Sequence, residues 1–121
     1  MRYLRTNTGT SITVGPFVDV TDGTPELSIT PANCHLTLIV DVAGVPTLVL
    51  DTTPGDGDPD TDNDLIHITG DDAGFYSLEL TAANVNYFGR AILAIVDDDV
   101  FVQVWHELSI VNQNWYDSMF T

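Results

Sequence analysis

The feature that most constrains this sequence is a two-residue alternation of apolar and polar side chains that restarts after each of a series of Gly, Pro and Asp breaks. In CHLTLIVDV, Leu36, Leu38 and Val40 share one side, and Thr37, Ile39 and Asp41 the other. FYSLELT sets Tyr76, Leu78 and Leu80 against Phe75, Ser77 and Glu79. A period of two is that of a strand with one buried face. SITVGPFVDV, ELSIT, TLVLD, LIHIT, AILAIV and VFVQVWHELSIV add further β-rich runs. Gly15-Pro16 breaks the first of these, and Asp22-Gly23 with Pro25, Gly44 with Pro46, and Gly70 to Gly74 mark turns. Only TAANVNYFG is weakly helical, and its asparagines and Gly89 favour a turn. The spacing predicts about seven or eight strands and an all-β, Ig-like antiparallel β-sandwich, with a small β-barrel as the alternative. Cys34 is the sole cysteine, so the inter-sheet disulfide of antibody domains is excluded; its apolar neighbours point to a buried, inert thiol.

A length of 121 residues suits a single domain spanning 1–121, with an N-terminal arm over 1–10 and an aromatic C-terminal tail over 112–121. The charge is lopsided: eighteen Asp and Glu face three Arg (Arg2, Arg5, Arg90) and no Lys, giving a formal −15. That charge argues against nucleic acid and anionic membranes as partners. It also opposes self-association unless salt screens it or the charges lie away from the contacts. A saline habitat is one reading of the acid excess. No run of eighteen apolar residues is present to span a bilayer, and no apolar stretch after the first arginines reads as a signal peptide.

The run PGDGDPDTDND places Asp56, Asp58, Asp60, Asp62 and Asp64 at every second position. In an extended strand alternate carboxylates stand ~6.6 Å apart, too far to converge on one ion. The EF-hand order fails for lack of its glycine and its closing glutamate. Repulsion between neighbours in water is roughly 0.6 kcal/mol before screening, so the run needs no metal. It reads as a solvated tip, and calcium is the one cofactor it would suit. His35, His67 and His106 lie apart in strand patterns, without the clustering zinc requires. No G-x-S-x-G elbow or phosphate-cradling loop occurs, and Asp97-Asp98-Asp99 reads as a hairpin tip. The expectation is a chain with no catalytic residues, not an enzyme. A lectin-like reading would rest on Trp105, Trp115 and Tyr116, which packing explains equally well.

The ends carry more information. NQNWYDSMFT concentrates Trp115, Tyr116, Met119 and Phe120, residue types enriched at interface cores. Such a segment is covered either by its own sandwich or by a neighbouring subunit. Met1-Arg2-Tyr3-Leu4-Arg5 holds two of the three cations and is a second candidate arm, able to complement an acidic face. Arg2, Tyr3, Arg5, Trp115, Tyr116, Met119 and Phe120 are therefore the candidate partner-binding residues.

Gly15-Pro16-Phe17-Val18-Asp19, then Thr21-Asp22-Gly23-Thr24-Pro25-Glu26 and Leu27-Ser28-Ile29-Thr30, resembles the G-P-F-V-D…T-D-G-x-T-P-E…L-T-I opening of a family of small tailed-bacteriophage proteins. Gly74-Phe75-Tyr76 with Leu78-Glu79-Leu80 is similar to that family's G-W-Y…L segment, and Phe88-Gly89-Arg90 to its L-G-R or A-G turn. Trp105-His106-Glu107 and Asn114-Trp115-Tyr116-Asp117-Ser118 resemble its W-x-x-F and N-V-Y-D-S close. The resemblance covers nearly the whole chain. It implies a non-enzymatic virion structural protein, assembled in the host cytoplasm and docked on other virion proteins and copies of itself. Its place would be as a capsid decoration or a tail or fibre attachment domain. The aspartate run is longer than the corresponding loop of that family, and the chain stops soon after Asp117-Ser118, which implies a stand-alone attachment module. A calcium- or carbohydrate-binding β-sandwich is the alternative.

Overall fold

The computed structural model describes residues 2–55, 63–97 and 100–120. Among the described residues eight strands form two sheets: β1 (Arg2–Arg5), β2 (Thr10–Val14), β3 (His35–Val42), β4 (Val45–Thr52), β5 (Leu65–His67), β6 (Tyr76–Leu80), β7 (Gly89–Val96) and β8 (Val104–Val111). One sheet runs β1-β8-β7-β3-β4 and the other β2-β6-β5. With β2-β6-β5 in the places of B-E-D and β3-β7-β8 in those of C-F-G, the order is that of an Ig-like sandwich. The sheets stay open, so the barrel alternative is not adopted. One pairing departs from the antiparallel expectation: β1 runs parallel to β8, Arg2 opposite Leu108 and Arg5 opposite Val111.

The alternation read from the sequence is the burial pattern of the sheets. Leu36, Leu38 and Val40 are fully buried, in one core with Leu93 and Ile95 of β7 and Leu78 of β6. Removing such a side chain costs about 2–5 kcal/mol.

Three segments differ from their sequence reading. The expected strand ELSIT is irregular, because Pro25 and Pro31 bracket it and its polar groups go elsewhere. Glu26 N–H donates to Phe17 O (2.9 Å), and Ile29 N–H donates to the Tyr76 hydroxyl (3.1 Å). Residues 2–5, expected in an arm, form β1. The tail forms a short helix, α1 (Gln113–Phe120). Asn112 caps it by accepting the Trp115 N–H (2.8 Å).

Candidate functional site: the joined termini

α1 lies against β1, so the two ends of the chain build one surface. β1 buries Leu4 and turns Tyr3 and Arg5 to the opposite side. Tyr3 stacks near Trp115 (5.4 Å between ring centroids) and Phe120 (6.1 Å), and Tyr116 meets Phe120 at 4.7 Å. Arg5 pins the helix: its Nε donates to Asp117 Oδ1 (2.9 Å) and its Nη1 to Thr8 Oγ1 (2.7 Å). Gln113 Nε2 donates to Thr6 O (3.1 Å).

This packing is partial. No residue of α1 is buried. Tyr3 remains 40% exposed, Trp115 42%, Phe120 52% and Met119 60%, so a cluster of large apolar side chains faces solvent on a strongly acidic chain. Six of the seven candidate residues therefore belong to β1's outer side and α1. Arg2 does not join them. It shares the Leu4 side of β1 and lines a separate cavity of about 310 Å³ with Ile12, Thr13, Trp105 and His106. Arg5 already engages a carboxylate of its own chain, Asp117, and so holds the helix.

Three of the motif segments, G-P-F-V-D, T-D-G-T-P-E and G-F-Y, meet in space as a structural node. Phe17 N–H donates to Gly74 O (2.9 Å), and the Phe17 ring packs edge-on to Tyr76 (5.2 Å) and Phe101 (4.7 Å). The Tyr76 hydroxyl donates to Glu26 O (3.1 Å). Asp19 accepts the Thr21 and Asp22 N–H groups at 2.7 and 3.3 Å, an Asx turn. Those bonds, the Thr21 one first, hold its carboxyl below the usual range. Asp71 does the same for the second motif: it accepts from Phe75 and Gly74 N–H at 2.8 and 2.9 Å, and its carboxyl is lowered chiefly by the Phe75 bond. The glycines, aspartates and aromatics of G-P-F-V-D, T-D-G-T-P-E and G-F-Y thus fasten loops to the core.

The three histidines stand apart. His35 contacts Asp51 across β3–β4, and His67 Nε2 lies 3.4 Å from Asp71 Oδ2. His106 Nε2 accepts the Gly15 N–H (3.1 Å). Among the described residues no three His, Cys, Asp or Glu converge as a metal set. Burial pushes the Cys34 thiol up to about 11, so the thiolate that reacts is scarce at neutral pH.

Burial also lowers the His106 pKa. The folded chain therefore binds that proton less readily than the unfolded chain. The resulting stability is complete above about pH 6.5 and falls as pH drops through that value. Wild-type protein is expected to lose more melting temperature between pH 7.5 and 5.5 than His106→Gln, which keeps an acceptor and does not titrate. Equal losses would contradict this role.

Asp56, Asp58, Asp60 and Asp62 lie outside the described residues; Asp64 does not, and it is no exposed tip. It is 6% exposed beside Glu79 (3%), which the alternation had assigned to the polar side of β6. Glu79 N–H donates to Asp64 O (3.2 Å). Asn63 Nδ2 donates to Glu79 O and to Asn84 Oδ1, each 2.9 Å. The sequence signal for this knot was available only in part: Asn63 and Asn84 mark turns, but their meeting depends on the pairing of β5 with β6.

No protein-family model matches the chain, and no curated protein matches it. Among the described residues no helix is long and apolar enough to cross a membrane.

Proposed function

We propose that this chain is a non-enzymatic bacteriophage virion structural protein that docks on other particle subunits through its joined termini, as a capsid decoration or as a tail or fibre attachment domain. The observation that carries the reading is the half-exposed ring cluster of Tyr3, Trp115 and Phe120 with Met119 beside it. Trp, Tyr, Phe and Met are the side chains enriched at interface cores. The phage-protein resemblance supports the virion setting. The G-P-F and G-F-Y residues that carry it supply a rigid support for that surface rather than chemistry. Truncation after Gln113 tests the reading. The core stays folded, since no α1 residue is buried, and the chain fails to enter particles. Normal incorporation of the truncated chain would refute terminal docking.

A second reading, a calcium-binding sandwich, is favoured by one observation: Asp64, the last aspartate of the run, is buried beside Glu79 of β6. A ligand bound only by the native state raises its melting temperature. On the docking reading, calcium and chelator give melting temperatures within a degree or two of each other. A rise of roughly 5 °C or more with calcium alone, which a domain of this size would show for about 1–2 kcal/mol, would favour the second reading.

A further inference from the structure

Where β1 stops, the larger sheet leaves a gap beside β8. β1 pairs with β8 from Leu108 to Val111, and Arg2 is its first paired residue. Loop residues take over beyond the other end of β8, where Val20 N–H donates to Val100 O and Val102 N–H to Val18 O (3.0 Å each). Between these two contacts, residues 104–107 pair with β7 alone among the described residues. The cavity of about 310 Å³ lies beside this stretch, between the two sheets. Arg2 of β1 and Trp105, His106 and Glu107 of β8 line it from the larger sheet, and Ile12 and Thr13 of β2 from the smaller one. Its volume is at the small end of ligand sites, which run from about 300 to 1,000 Å³, and suits a single ring.

The lining makes three separate demands on an occupant. Trp105 is 62% exposed, so packing does not account for it; an indole face attracts the slightly positive C–H groups of a flat apolar surface. Arg5 is bound to Asp117 and Arg90 to Glu107, but among the described residues no carboxylate pairs with Arg2. A guanidinium fork matches a carboxylate. Glu107 acts in the opposite sense: it accepts hydrogen bonds from hydroxyls and repels a ligand that offers negative charge alone. Thr13 adds a hydroxyl. His106 Nε2 accepts the Gly15 N–H (3.1 Å), which puts the proton of the neutral ring on Nδ1 and makes that nitrogen a donor. We infer that this cavity binds a hexuronic acid, its ring on Trp105, its carboxylate on Arg2 and its hydroxyls shared among Thr13, His106 and Glu107. A simple anion answers Arg2 and meets Glu107 with like charge. A neutral sugar leaves Arg2 unpaired. A sugar acid has the carboxylate, the hydroxyls and the apolar ring face together. The site is independent of terminal docking, because Arg2 lies on the side of β1 away from Tyr3 and Arg5.

An NMR titration of the full chain tests this, at an ionic strength of about 0.15 M, where a Debye length of about 8 Å screens the distant acid. The probes are the methyl glycosides of glucuronic, galacturonic and mannuronic acid, with methyl glucoside, acetate and benzoate for comparison. At least one uronide is expected to bind one per chain with Kd of about 1 mM, shifting the Trp105 indole signal, and the three comparison compounds at least about tenfold more weakly. Arg2→Gln weakens uronide binding about tenfold or more and abolishes the preference over methyl glucoside. Trp105→Ala weakens uronide and glucoside alike. Both side chains are exposed, so circular dichroism stays unchanged. No binding of any uronide up to about 20 mM, acetate or benzoate binding as tightly, or affinity indifferent to both substitutions overturns the inference. Trp115→Ala leaves binding unchanged, so a failure here and a failure of terminal docking are separate results.

Discussion

Gly74→Ala is expected to destabilise the domain by about 3–4 kcal/mol, a loss of roughly 10–15 °C in melting temperature. Two effects add. Gly74 has φ +95°, a backbone conformation that costs a non-glycine residue about 1–3 kcal/mol. A methyl group there also falls 2.5 Å from Phe17 O and 3.2 Å from Phe17 N, both main-chain atoms that cannot swing aside. Relief means moving Phe17, whose ring is fully buried against Tyr76 and Phe101. Gly23→Ala separates the two effects. Gly23 also has positive φ (+73°), yet no atom lies within 4 Å of the added carbon, so only the backbone cost of about 1 kcal/mol remains. Chemical denaturation of both variants checks the difference. Similar small losses would mean that the G-P-F and G-F-Y segments do not lock each other.

The second large effect is on assembly. Trp115→Ala combined with Phe120→Ala is expected to leave folding nearly unchanged and to abolish entry into particles. Neither side chain is buried, and the helix end retains Arg5–Asp117 and the Asn112 cap, so the cost to the isolated domain is small. Binding responds differently. Truncating a central aromatic anchor typically costs 2 kcal/mol or more, and two such losses reduce affinity by about a thousandfold. Arg5→Ala gives a milder result. It releases an exposed ion pair worth about 0–1 kcal/mol and loosens the helix without removing its rings. Particle incorporation and melting temperature, measured on the same variants, distinguish an interface anchor from a folding element.

The strands with one clean apolar side were legible in the sequence. Leu36, Leu38 and Val40, and Tyr76, Leu78 and Leu80, point inward as the alternation requires. What could not be read was pairing between distant segments. RYLR holds four residues with no distinctive pattern, and its parallel match to β8 emerges only once β8 is placed. ELSIT has the composition of a strand, but Tyr76 intercepts the Ile29 N–H that a neighbour would need. Glu79 sat on the polar side of its strand by pattern. Its burial follows from the closure of Asn63 and Asp64 over the end of β6. Composition singled out Tyr3, Trp115 and Phe120 as interface candidates. That they form one cluster depends on β1 pairing with β8, which brings the first and last elements together.

On the virion reading proposed above, the most direct test of terminal docking is quantitative mass spectrometry of purified phage particles assembled with wild-type protein or with the Trp115→Ala, Phe120→Ala pair. Many copies per particle are predicted for the wild type, in a fixed ratio to another structural subunit, with near-complete loss for the variant. Particles without the chain, or equal copy numbers for the two proteins, would contradict the account.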